Sequence, residues 1–123
     1  MTAPREFDLG AILTVTTGRY LLDDVGDLYD ILNFMTGDNL FTHQLVRAGD
    51  ECRRPLLFQH PELAAVEVPT FYGETSAVRD GYSQWLDEQR AIYGASLAVW
   101  PLEGGHVVID PLTEFQQVLR RPE

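Results

Sequence analysis

Apolar positions recur along this chain mostly at offsets of three and four, the spacing that lines one face of an α-helix. The clearest such stripe runs from about Asp24 to Thr36 and carries Val25, Leu28, Tyr29, Leu32 and Met35. Asp23 or Asp24 supplies an N-cap oxygen for the orphan amides of the first turn, and Gly37 suits the left-handed position after the last. Ile31 and Phe34 widen the stripe, so this helix is expected to pack on more than one side. The longest amphipathic stretch extends from about Ser76 to Tyr93 through Val78, Tyr82, Trp85, Leu86 and Ile92, and Gly94 is its natural stop. Gly81 inside it weakens the helix by about 1 kcal/mol relative to alanine, which implies either close packing or a bend.

The remaining elements are shorter. Asp8 precedes Leu9–Leu13 as an N-cap, and a helix is expected there up to Gly18, although Thr14-Val15-Thr16-Thr17 is β-branched and would also suit a strand. Asp38-Asn39 caps a short helix over Leu40–Val46 that ends near Gly49. A separate turn or two follows from Asp50 to Phe58, kinked at Pro55 or starting there, because proline lacks the amide donor and restricts Arg54 before it. Ala65–Val68 predicts a brief strand closed by Pro69. Leu97–Trp100 and His106–Ile109 flank Glu103-Gly104-Gly105 as a β-hairpin, and Asp110-Pro111 opens a last helix bearing Leu112, Phe115, Val118 and Leu119. The fold class is therefore α+β: one mainly helical domain over residues 1–123, with a small antiparallel sheet or hairpin at about 95–109 and a short strand near 65–68. A length of 123 residues suits one core rather than two.

Charge narrows the function. Nineteen acidic residues against nine basic ones give a net charge of −10, and all nine basic residues are arginine. Such a surface repels phosphate backbones and anionic lipid and favours basic partners, so neither nucleic acid nor membrane is an expected ligand. The apolar runs Ala11–Val15 and Leu97–Leu102 fall far short of the roughly 20 residues that span a bilayer. The single cysteine, Cys52, has no partner for an internal disulfide, and no charged stretch leading into an apolar run opens the sequence. A reducing cytoplasm is the expected compartment.

Candidate chemistry is sparse. Asp23, Asp27 and Asp30 fall on one side of the first clear helix, with Asp24 beside them and Asp38 just beyond its end. This ridge serves either as a solvated face that complements the helix dipole or as a docking surface for an arginine- or lysine-rich protein, including one that normally holds nucleic acid. Its spacing does not match a calcium loop. A second candidate is the polar strip Asn39, Thr42, His43 and Gln44, which interrupts an apolar segment and would serve a ligand-binding or enzymatic domain if a pocket lay beneath it. His43, Cys52 and His60 are zinc-ligand types without a paired spacing, so no metal or cofactor is expected, and nothing around Cys52 resembles a nucleophile motif. Arg47, Arg53 and Arg54 either bind a phosphate or carboxylate ligand or, as is expected, pair with Asp50, Glu51 and the ridge. Phe71-Tyr72-Gly73 lies in a loop and offers an exposed recognition tip.

The run Tyr29-Asp30-Ile31-Leu32-Asn33-Phe34-Met35-Thr36-Gly37-Asp38-Asn39-Leu40-Phe41-Thr42-His43-Gln44-Leu45 resembles a family of small uncharacterised proteins encoded by tailed bacteriophages and prophages. Thr16-Thr17-Gly18-Arg19, Glu51-Cys52 and Gln59-His60-Pro61 with Leu63 extend the likeness, and Trp85-Leu86 with Tyr93-Gly94 and Asp110-Pro111 do so more loosely. The resemblance carries no catalytic or binding residues with it. It implies a non-enzymatic protein that binds and modulates a bacterial host protein, in the manner of anti-CRISPR and other anti-defence inhibitors, within the host cytoplasm. A structural or accessory component of the phage particle is the other role that phage membership implies.

Overall fold

In the computed structural model residues 3–102 are described, and the expected second hairpin strand at 106–109 and the last helix from Asp110 lie outside them. Among the described residues the order is β1 (Arg5–Asp8), α1 (Leu9–Thr17), α2 (Val25–Thr36), α3 (Leu45–Gln59), α4 (Thr75–Tyr93) and β2 (Ser96–Val99), with short 3-10 turns at Thr42–Gln44 and Pro61–Ala65. The result is a small α+β fold, mainly helical, with a two-stranded antiparallel sheet. No helix among the described residues is long and apolar enough to cross a membrane.

Helix α1 is the hub. It is apolar on every side, so it has no solvent face to offer, and every residue from Leu9 to Thr16 is buried against its neighbours. Its β-branched tail stays helical because the threonine hydroxyls find backbone acceptors one turn back. Thr14 Oγ1 donates to the Gly10 carbonyl at 2.8 Å and Thr17 Oγ1 to that of Leu13 at 2.6 Å. Asp8 caps the start by accepting from the Gly10 amide at 2.8 Å, and Gly18, at φ 72°, ends the helix in the left-handed region.

Helix α2 keeps the expected signals at both ends, with Asp24 accepting from the Gly26 amide and Gly37 donating its amide to the Asn33 carbonyl. Ile31, Leu32 and Met35 enter the core, whereas Val25 stays half exposed. Helix α3 differs from expectation. Instead of two pieces broken near Gly49 and Pro55, it runs unbroken from Leu45 to Gln59. Leu45, Ala48, Cys52 and Leu56 form one buried stripe along it, and this burial outweighs the local cost of the glycine and of the amide donor that Pro55 lacks.

The expected strand near 65–68 does not form. Pro61–Ala65 winds into a 3-10 turn closed by the Val66 amide on the Leu63 carbonyl, and residues 66–70 take no regular structure. The sheet is also paired differently from the hairpin expected at 95–109. Residues 96–99 do form a strand, but its partner among the described residues is β1 at the other end of the chain, with Phe7 opposite Leu97 and Arg5 opposite Val99. The outer edge of β2 is covered by side chains from the end of α3. The Gln59 amide accepts from the Trp100 N–H at 2.9 Å and donates to the Trp100 carbonyl at 3.2 Å, while His60 Nε2 meets the Ala98 carbonyl at 2.6 Å.

Gly81 is a close-packing position on α4. A Cβ built there would lie 2.7 Å from the Phe71 ring, which stands edge-on to Tyr82 at 4.8 Å between centroids. The loop before α4 is thereby pinned by Phe71, and Tyr72 beside it is 87% exposed.

Candidate functional site

The aspartates expected to act as one ridge have four different tasks. Asp24 is the N-cap of α2. Asp30 is held by Arg5 through two contacts, at 2.7 and 3.2 Å, and Arg5 also lies over the Phe7 ring. Asp38, at the far end, folds back to accept from the Asn39 amide at 2.7 Å. Of these five aspartates, Asp23 and Asp27 are the two that are exposed with no ion pair or hydrogen bond to their carboxylates among the described residues, a state they share with Glu6, Glu67, Glu74, Asp80 and Glu88 elsewhere on the surface. A partner can meet their charge without first breaking a bond to another described residue.

Both line a cleft of about 330 Å³ between residues 20–27 and α4. Leu21, Leu22 and the buried Leu86 supply its apolar part, and Tyr20 and Tyr82 its phenols. Opposite the aspartates α4 contributes Arg79 and Arg90. Arg90 is fully engaged. It grips Asp8 at 3.0 and 3.2 Å and Asp87 at 2.8 Å, and these bonds, above all that to Asp8, push its pKa up further. That clasp ties α4 to the junction of β1 and α1, which sets the width of the cleft. Sequence reasoning missed the α4 side, yet Arg79, Tyr82, Leu86 and Arg90 stand at successive offsets of three or four and mark one face of that helix.

The polar strip is used mostly to build its own loop. Gln44 is buried, and its Oε1 accepts from the Phe41 amide at 2.9 Å. Thr42 hydrogen-bonds to the Tyr29 hydroxyl, His43 stacks beside Phe41 with centroids 6.2 Å apart, and Asn39 is exposed. None of these four residues lines the cleft beside α4 or either of the two grooves on α3.

Cys52, His43 and His60 are not brought together as a metal centre, and no group of three or more metal-ligating side chains converges among the described residues. Burial in α3 pushes the Cys52 thiol up to about 12, with the Glu51 charge adding to the shift, so the thiolate needed for nucleophilic chemistry is disfavoured. His60 sits between the Ala98 carbonyl and Glu62, whose carboxylate is 3.6 Å from Nδ1. The central arginines pair as expected in two cases, Arg47 with Glu51 at 3.4 Å and Arg53 with Asp50 at 3.1 Å, while Arg54 is exposed. Arg53 also donates from Nε to the Val15 carbonyl at 3.0 Å, passing over Gly18 where a Cβ would meet its guanidinium at 2.8 Å. It closes the end of α1 and is not available as an anion site.

One apolar surface feature was not anticipated. Pro55, Phe58, Trp100, Pro101 and Leu102 line a groove of about 640 Å³. Phe58 is 88% exposed there, and Trp100, which its size marks as a core anchor, is 48% exposed.

By architecture the chain is thus a small α+β protein whose described surface offers a mixed-charge cleft and an apolar groove. Residues 7–66 match the family model of a domain of unknown function, DUF7736. No curated protein and no solved structure matches the chain. The matched segment runs from β1 through the 3-10 turn after α3, so it contains the aspartate side of the cleft and not the α4 side.

Proposed function

We propose that this chain is a non-enzymatic, phage-encoded protein that binds a basic surface on a bacterial host protein and modulates it, in the manner of anti-defence inhibitors. The observation that carries this function is the pair Asp23 and Asp27, exposed and without an ion pair among the described residues, on a chain of net charge −10. Such carboxylates steer a basic partner over a distance of about 8 Å at physiological salt, and lose that reach as salt rises. The buried thiol of Cys52 is disfavoured as a nucleophile, and Arg53 and Gln44 are engaged in holding the fold. Phage origin rests on the resemblance carried by residues 29–45, and it favours a nucleic-acid-handling defence complex as the partner, because such a complex presents arginine and lysine where it holds phosphate.

The test is capture of host proteins on the tagged chain and on its Asp23→Asn/Asp27→Asn variant, side by side in bacterial lysate. A defence or nucleic-acid-handling complex retained by the first, lost on the second and displaced by DNA or RNA supports the proposal. Equal retention by both chains removes the acidic face from the account.

A further inference from the structure

Besides the Asp8–Arg90 pair, the cleft beside α4 holds charges of both signs that do not meet. Among its carboxylates Asp8 is taken by Arg90 and Asp24 by the Gly26 amide, and Arg90 is taken in turn by Asp8 and Asp87. Asp23, Asp27 and Arg79 remain, and no ion pair joins them although they line the same space. Elsewhere Arg5, Arg47 and Arg53 each reach a carboxylate, whereas Arg19 and Arg54 reach none among the described residues. The feature is therefore more than an acidic cluster: it is a gap with opposite charges on its two sides. The wall between them is built in advance, since Tyr82 is braced by Phe71 and Phe71 is seated on Gly81. A volume of about 330 Å³ lies within the range of small-molecule sites.

We propose that this cleft binds a small zwitterion of the α-amino-acid class. The ammonium lies against Asp23 and Asp27, the carboxylate against Arg79, and an apolar side chain covers Leu21, Leu22 and Leu86. A plain amine satisfies only the aspartate side, and a plain carboxylate meets two uncompensated aspartates, so each is the poorer ligand. This site goes beyond the partner-binding function and shares only Asp23 and Asp27 with it.

The experiment is a backbone-amide NMR titration of the full chain with L-leucine, with isopentylamine, which lacks the carboxylate, and with 4-methylpentanoate, which lacks the ammonium. L-Leucine is expected to give saturable shifts at Gly26, Asp27 and Ser83, and each single-charge analogue to bind about tenfold more weakly or worse. Arg79 is exposed, so Arg79→Gln should fold normally; it is expected to lower L-leucine affinity to that of the amine while leaving the amine itself unchanged. Absence of saturation with L-leucine up to tens of millimolar overturns the site. An amine that binds as well as L-leucine also overturns it, and leaves the basic-partner function standing, because a cleft that takes cations alone is simply part of an acidic face.

Discussion

Helices α1 and α4 divide the labour of this small protein in opposite ways. The first has nine residues, eight of them buried; the second has nineteen, and only Leu86 is buried. The short helix has no polar face and is surrounded, whereas the long amphipathic one lies over the outside and keeps residues such as Ile92 in solvent. Length and amphipathicity thus mark the surface helix here, and uniform hydrophobicity marks the centre. The cleft is formed where the two regimes meet: α1 and β1 supply Asp8, α4 answers with Arg90, and the aspartates of the 20–27 segment stand at the opening.

This contrast makes its strongest prediction in stability. Leu13→Ala, at a site with no exposure, should cost about 2–5 kcal/mol in urea unfolding, while Ile92→Ala, at 66% exposure, should stay within about 0.5 kcal/mol. Comparable losses would show that the outer face of α4 is covered in solution and would break the comparison. Cys52 reports on the same core from α3. Its folded thiol holds its proton up to about 12 against 9.0 for the ordinary group, so between those values the folded state binds more protons than the unfolded one. Stability is then expected to fall as pH rises above about 9, and at pH 8 a thiol reagent should label the chain only as fast as it unfolds. Rapid labelling under native conditions would mean that the stripe on α3 is open.

Smaller effects sharpen the surface side. Gly81→Ala gains about 1 kcal/mol of helix propensity, yet crowds the Phe71 ring and should lose about 1–3 kcal/mol through overpacking. In a Phe71→Ala background the same change should become stabilising, and a loss in both backgrounds would put the constraint elsewhere. Asp24→Ala should cost about 1 kcal/mol as a lost cap, whereas Asp27→Asn should cost only a few tenths, about the share of an exposed charge near a helix start. Equal losses would deny that Asp27 is free for a partner.

Much of the helical framework was legible in the sequence because its signals are local. The cap of α2 and the glycines that follow α2 and α4 sit within a turn of the residues they affect, and both helices lie within a residue of the expected limits. What was illegible depended on distant partners. Arg5–Asp8 reads as a polar start because only Phe7 is buried in it, and its strand character exists only through residues 96–99. Helix α3 continues through Gly49 and Pro55 because of the surface its stripe buries, which no local propensity reports. The cap by Asp24 was legible as one of two local candidates, but the other aspartates were found as a set and not sorted, since the pairing of Asp30 depends on the distant Arg5 and the cleft that Asp23 and Asp27 line depends on the distant α4.

The most direct measurement is the association rate of the captured host partner with the wild-type chain and with Asp23→Asn/Asp27→Asn, each followed across a salt series. Unchanged affinity together with an unchanged salt response would contradict the account. The account predicts a wild-type rate that falls steeply as salt rises, and a variant that binds about tenfold more slowly at low salt with a flatter dependence.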